Sequence, residues 1–118
     1  MKKLVIWGTG NKASELLMIY NCMPDNEKMQ IIGFVDNDKK KWEGGRTFQN
    51  LPIYSPQQLE DLDYDYISIW VANDITWRTI YLQLTKELGV FDYQIIDIFE
   101  IFKRKLSAKY YNYDKSVQ

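Results

Sequence analysis

The fold is decided by the stretch Leu4-Val5-Ile6-Trp7-Gly8-Thr9-Gly10-Asn11-Lys12-Ala13, in which an apolar run leads straight into a glycine-rich turn. A short continuous apolar run of this kind is typical of a parallel strand that is covered on both faces. Beyond the turn, apolar residues recur at the spacing of one helix face: Ala13, Leu16, Leu17 and Tyr20. The sequence therefore predicts a buried strand, a tight turn and a helix.

The same alternation of strand and helix continues along the chain. Further apolar runs predict strands at Ile31–Val35, Leu51–Tyr54, Tyr66–Val71 and Tyr93–Ile96. Pro52 restricts the second of these runs to a short or edge strand, because proline cannot donate to a ladder. Helices are predicted from Ser55-Pro56 onward, from Asn73 or Asp74 to a stop at Gly89, and over Ile98–Leu106, whereas residues 39–50 are expected to be irregular.

Alternating strands and helices indicate a parallel sheet with right-handed crossovers. We therefore expect an α/β protein, a Rossmann-like three-layer sandwich with an open, mainly parallel sheet of about five strands. One domain is predicted over residues 1–107, and residues 108–118 are expected to be a polar tail or linker.

Composition excludes several classes of function. The chain has 118 residues, with 15 basic and 16 acidic side chains and a net charge of -1, which argues against a nucleic-acid partner. It has no histidine and one cysteine, so a zinc site, a Ser-His-Asp triad and an internal disulfide are not expected. No apolar stretch approaches the length of a membrane helix or a signal peptide, and a cytoplasmic location is predicted.

The turn Gly8, Thr9, Gly10, Asn11, Lys12 and Ala13 fits the pattern G-x-G-x-x-G/A between a strand and a helix. In that pattern the first glycine permits the tight turn, the second lets the backbone approach a phosphate, and the third position lets helix and strand pack closely. Free N–H groups and the helix dipole at this point favour an anion. All six residues are therefore predicted to bind the phosphate of a nucleotide.

Polar residues at the ends of two other predicted strands extend the candidate site. Asp36 follows the second strand, where dinucleotide folds place an acid that binds ribose, and Asn37 is predicted to lie beside it near the nucleoside. Three residues that follow the strand beginning at Tyr66 are further candidates for the ligand crevice outside the strand ends: Val71, Ala72 and Asn73. The alternative is that the glycines only shape a turn and Asp36 is a solvated strand end. No metal site is predicted, and no catalytic residue is apparent.

The chain also resembles a known group of proteins. The resemblance runs over most of residues 1–100. It is carried by Trp7-Gly8-Thr9-Gly10, Ile32-Gly33-Phe34-Val35-Asp36-Asn37-Asp38, Leu51-Pro52-Ile53-Tyr54-Ser55-Pro56, Tyr64-Asp65-Tyr66-Ile67-Ser68-Ile69, and Gln83-Leu84 with Leu88-Gly89-Val90. It is a resemblance to the Rossmann-like nucleotide-sugar or NAD(P)-binding module of bacterial surface-polysaccharide biosynthesis enzymes. Examples are the N-terminal domain of UDP-amino-sugar acetyltransferases and the module that precedes nucleoside-diphosphate-sugar 4,6-dehydratases.

The resemblance implies that the glycine turn holds phosphate and that Asp36 and Asn37 lie near the nucleoside. The chain departs from those enzymes because neither a hexapeptide β-helix nor a dehydratase domain follows residue 100. We therefore expect a nucleotide-sugar or nucleotide-binding domain of a sugar-modifying enzyme of capsule, lipopolysaccharide or other glycan synthesis, with a further catalytic domain after residue 118 and with homo-oligomers as a further option. The alternatives are an NAD-binding domain of an oxidoreductase or dehydratase and a regulatory or interaction module without activity.

Overall fold

Most of the apolar runs form one five-stranded sheet in the computed structural model, which describes residues 1–101, 103 and 104. The strands are β1 Lys3–Trp7, β2 Gln30–Val35, β3 Thr47–Phe48, β4 Leu51–Tyr54 and β5 Tyr66–Ile69. Their order across the sheet is β3-β4-β2-β1-β5. The pairs β1–β2, β1–β5 and β2–β4 are parallel, and β3 pairs antiparallel with β4. The sheet is thus mixed but mostly parallel, as expected.

Helices connect the strands. The α-helices are α1 Asn11–Asn21, α2 Lys39–Trp42 and α3 Asp74–Leu82. A π-helical turn, Gln83–Glu87, continues α3, and Gly89, with φ +69°, follows it at the predicted stop. The described residues also form three 3₁₀ segments: Asp25–Glu27, Pro56–Asp61 and Asp92–Gln94. A last helix begins at Ile98.

The two faces of the sheet carry separate apolar clusters. Leu4 and Ile6 of β1 pack on one face with Ala13 and Leu17 of α1. The alternate residues of β1, including Val5, pack on the other face with side chains of α3. A strand alternates its side chains between two faces, so burial of every residue from Leu4 to Trp7 requires cover on both sides. The continuous apolar run is explained by this three-layer arrangement.

The order of the strands in the sheet reverses at β1. β2 and β4 lie on one side of β1, whereas β5 lies on the other. The register pairs Trp7 with both Val35 and Ile69, so the carboxyl ends of β1, β2 and β5 are level. In open α/β sheets ligands bind outside the strand ends at such a reversal.

One strand prediction was wrong, and one predicted strand is shorter than expected. Residues 93–96 do not form a strand: Ile95 makes only an isolated bridge with Ile67. The preceding residues form a tight turn, in which the backbone N–H of Gln94 donates to the carbonyl of Phe91 and its side chain accepts from the N–H of Phe91. The predicted strand Tyr66–Val71 ends at Ile69.

Residues 39–50 are more regular than predicted. They contain α2, capped by the Asp38 carboxylate that accepts from Lys40 N, and they contain the edge strand β3. β4 is short, as Pro52 indicated, and the helix expected at Ser55-Pro56 is a 3₁₀ segment.

Two further expectations concern residues that the structure does not describe. The predicted domain boundary at 107 and the tail 108–118 lie outside the described residues.

None of the helices in the part of the chain that the structure describes has the length and hydropathy of a membrane-spanning segment.

Candidate functional site

Gly8 joins the turn to both neighbouring strands. Its backbone N–H donates a 2.8 Å hydrogen bond to the carbonyl of Val35, and its φ is +131°. A Cβ at this position would lie 2.5 Å from the carbonyl oxygen of Trp70. Only glycine fits such a conformation against a backbone so close. Gly8 is therefore required by the fold, whether or not a ligand binds.

Gly10 has different surroundings. It is the N-cap residue of α1, it is exposed, and apart from its own chain neighbours no residue has a heavy atom within 4 Å of the position that a Cβ would occupy. Its φ of -92° is accessible to any residue. The fold therefore does not require a glycine here, and the bare backbone leaves open space in front of the first turn of α1.

The remaining residues of the turn divide into packing and surface positions. Ala13 is fully buried between α1 and the sheet, in agreement with the close packing predicted for this position. Asn11 is exposed, and the ammonium group of Lys12 lies 3.8 Å from the Glu15 carboxylate. Gly10, Asn11 and Lys12 are thus the part of the turn that a ligand can reach.

Asp36 is held against the turn by its side chain. Its Oδ2 accepts a 2.7 Å hydrogen bond from the Thr9 hydroxyl, and its Oδ1 accepts from the backbone N–H of Asp38 at 2.8 Å. Thr9 is 4% exposed and Asp36 is half-buried. The carboxylate is therefore oriented by two donors and is not a fully solvated strand end.

Asn37 pairs with Gln83, a residue that was not predicted to belong to the site. Its Nδ2 donates to Oε1 of Gln83 at 3.0 Å, and its Oδ1 accepts from Nε2 of Gln83 at 2.8 Å. This reciprocal amide pair connects the loop after β2 to the turn after α3. Gln83 is 46 positions away in sequence, and the resemblance that includes it assigns it no role.

The residues after β5 also have distinct roles. Val71 is half-buried, and its Cγ1 lies 3.6 Å from the position of a Cβ on Gly8, so the loop after β5 lies beside the glycine turn. Ala72 is exposed. Asn73 caps α3, because its Oδ1 accepts from the N–H groups of Ile75 and Thr76. Of the two predicted cap candidates, Asn73 and Asp74, the structure has Asn73 as the cap.

A pocket of about 690 Å³ opens next to this loop. It lies between α1, the end of β5, the first turn of α3 and the last helix, and Val71 forms part of its wall. Its volume falls within the range of small-molecule sites. Within the described ranges, no three histidine, cysteine or acidic side chains come together as a potential metal site.

One comparison with known proteins gives a match. The model of a family described as C2185-like, N-terminal, matches residues 1–96, which include all five strands and the glycine turn. No curated protein matches the sequence at a significant level.

Proposed function

We propose that this chain, which belongs to the C2185-like N-terminal family, is a Rossmann-like domain that binds a nucleotide sugar for a sugar-modifying enzyme of bacterial surface-glycan synthesis. The link to glycan synthesis rests on the resemblance of the motifs described above. The binding function rests on the site.

The observation that carries the proposal is the hydrogen bond between Thr9 and Asp36 at the strand-order reversal. It joins the turn after β1 to the acid after β2, which are the two elements that a nucleotide contacts in folds of this kind. The carboxylate is aligned before any ligand arrives, so little side-chain entropy is lost when a ribose hydroxyl donates to it.

The open space in front of the glycine turn could hold a phosphate beside Asp36. The first turn of an α-helix has backbone N–H groups without intrahelical partners, and Gly10 offers no side chain to accept from them. A phosphate in the open space in front of Gly10 would accept from these groups and interact favourably with the dipole of α1.

The size of the sheet favours a nucleotide sugar over NAD. A complete dinucleotide site uses two βαβαβ halves with six strands. The described residues contain five strands, of which β3 is a two-residue antiparallel strand at the edge. Within the described residues, the nicotinamide half of NAD would therefore find no second half-site of the kind that normally holds it.

The test is calorimetric titration of the whole chain with UDP, UDP-N-acetylglucosamine and NAD. We expect both UDP compounds to bind, and Asp36→Ala to weaken them by about tenfold to a hundredfold through the loss of a charged hydrogen bond. Asp61→Ala, which removes an exposed carboxylate at the end of the segment Pro56–Asp61, is the control. If neither UDP compound binds, or if Asp36→Ala and Asp61→Ala lose the same affinity, the proposal is contradicted.

A further inference from the structure

The pocket beside the loop after β5 has the walls of a site for a ring-shaped ligand. Its aromatic and charged lining residues are Trp70, Trp77, Phe99, Asp74, Asp97 and Lys103. Trp70 is buried, and its ring centroid lies 5.5 Å from that of Phe99. Trp77 is 38% exposed and stacks on Tyr81 with centroids 5.4 Å apart, so one ring face is packed while part of the indole stays accessible.

The pocket and the glycine turn both lie at the carboxyl ends of neighbouring strands. Strands β2, β1 and β5 are neighbours whose carboxyl ends are level, so Asp36, Gly8 and Trp70 follow three adjacent strand ends. A ligand with its nucleoside at Asp36 and its diphosphate at the turn would extend toward β5. The group attached to the second phosphate would then reach the pocket.

The charged side chains that line the pocket would favour some groups on the second phosphate over others. Asp74 offers carboxylate oxygens as acceptors and Lys103 offers an ammonium group, whereas Oδ1 of Asp97 already accepts from the N–H groups of Phe99 and Glu100. With two carboxylates and one ammonium group, the lining is net negative. Apolar C–H faces of a sugar ring pack on aromatic side chains, while its hydroxyl groups donate to carboxylates. A sugar that itself carries a carboxylate would be repelled.

We infer that this pocket binds the pyranose ring of the nucleotide sugar, with Trp77 as the contact for the ring and Asp74 as a group that disfavours uronic acids. This inference rests on the proposed nucleotide-sugar function and adds a second, separate subsite to it. The subsite shares no side chain with the Thr9–Asp36 pair, so the two can be tested apart.

The first experiment compares UDP with UDP-N-acetylglucosamine by calorimetry on the whole chain. We expect the sugar to improve affinity by about tenfold, the order of one favourable aromatic contact. Trp77→Ala should remove this gain and leave the affinity for UDP unchanged. Phe91→Ala is the control, since Phe91 is also an exposed aromatic stacked on a neighbour, Tyr93, and does not line the pocket.

The outcomes separate the two proposals. If UDP binds but the sugar adds nothing, or if Trp77→Ala weakens both ligands equally, the subsite is wrong and the nucleotide site stands. If Trp77→Ala weakens only NAD, the pocket belongs to nicotinamide and the inference is wrong. If neither UDP compound binds, the proposed function fails and the subsite fails with it.

The second experiment tests the charge of the lining. UDP-glucuronic acid should bind about tenfold more weakly than UDP-glucose, because its carboxylate would enter a net negative pocket. Asp74→Asn preserves the shape of the side chain and should narrow this difference. Equal affinities of the two sugars for the wild-type chain would overturn the assignment of Asp74.

Discussion

The hydroxyl of Thr9 donates a 2.7 Å hydrogen bond to the carboxylate of Asp36, although the two residues are 27 positions apart. Because Thr9 is 4% exposed, its hydroxyl has little access to water if the acceptor is removed. We expect Asp36→Ala to lower the free energy of unfolding by about 1–3 kcal/mol, the cost of leaving a buried donor unsatisfied. Urea denaturation of both proteins measures this difference.

A double-mutant cycle isolates the pair. Thr9→Val removes the hydroxyl at nearly constant shape, so Asp36→Ala should cost less in the Thr9→Val background than in the wild-type chain. Asp61→Ala, a change at an exposed carboxylate outside the site, should cost the same in both backgrounds. Additive effects of Thr9→Val and Asp36→Ala would mean that the hydrogen bond contributes nothing to stability.

The two glycines of the turn should respond differently to alanine. Gly8→Ala places a Cβ 2.5 Å from the Trp70 carbonyl at a φ of +131°, so we expect a loss of several kcal/mol of stability, on the order of other strained backbone sites. Gly10→Ala meets no atom within 4 Å apart from those of its own chain neighbours and should leave the thermal midpoint almost unchanged.

Ligand binding by the Gly10 variants then provides a separate readout. Under the proposed function, Gly10→Ala should weaken UDP, and the larger Gly10→Val should weaken it further, because each added carbon occupies the space in front of α1. Unchanged affinity in a stably folded Gly10→Val chain would contradict a phosphate at this turn. A large loss of stability in Gly10→Ala would contradict the open geometry of the turn.

The central part of the fold could be predicted from sequence because its signals are local. The run Leu4–Trp7 is buried on both faces, and the helix face that begins at Ala13 packs on it. The edges of the sheet could not be predicted in this way. β3 is only two residues long, and the run at 93–96 begins inside the 3₁₀ segment Asp92–Gln94, where the Gln94 side chain accepts from the N–H of Phe91 and completes a local turn.

The candidate site shows the same division. The glycine turn and Asp36 are recognisable because each follows an apolar strand in a known pattern. The Asn37–Gln83 pair and the pocket wall at Trp77 depend on where helix α3 packs, and no local spacing encodes that position. Asn73 was predicted as a crevice residue or as a cap, and the structure assigns it the cap.

Two tyrosines should make the chain sensitive to alkaline pH. Burial raises the pKa of Tyr20 above 10.0, an effect only partly offset by the hydrogen bond that its hydroxyl accepts from the backbone N–H of Met29, and burial also raises the pKa of Tyr64. A raised pKa means that the folded state favours the neutral phenol. The associated stability is complete below about pH 10 and is lost as the pH rises through the raised folded pKa.

The measurement is the urea midpoint between pH 8 and pH 11. Tyr64→Phe should reduce the loss of stability above about pH 10, because one phenol that ionises more readily when unfolded is gone. Tyr93→Phe removes the hydroxyl of a side chain that is 70% exposed and should leave the slope unchanged. The same slope in all three proteins would show that Tyr64 does not contribute.

The last prediction concerns how Asp36 would discriminate between dinucleotides under the proposed function. The carboxylate lies at the end of β2, where a ribose would bind, and it is held there by Thr9 and by the N–H of Asp38. It can accept from ribose hydroxyls but repels a 2′-phosphate. NADP should therefore bind about tenfold or more weakly than NAD, and UDP-N-acetylglucosamine should bind at least as well as NAD.

Asp36→Ala should make the affinities for NAD and NADP more similar. NAD binds more weakly because it loses a hydrogen bond to the carboxylate, and NADP binds more tightly because its 2′-phosphate is no longer repelled. The ratio of the two dissociation constants is the appropriate readout, since a general loss of folded protein lowers both affinities equally and leaves their ratio unchanged. Asp61→Ala should keep the wild-type ratio. If the wild-type chain binds NAD and NADP equally, the carboxylate does not face the 2′ position, and its bond to Thr9 serves the fold alone.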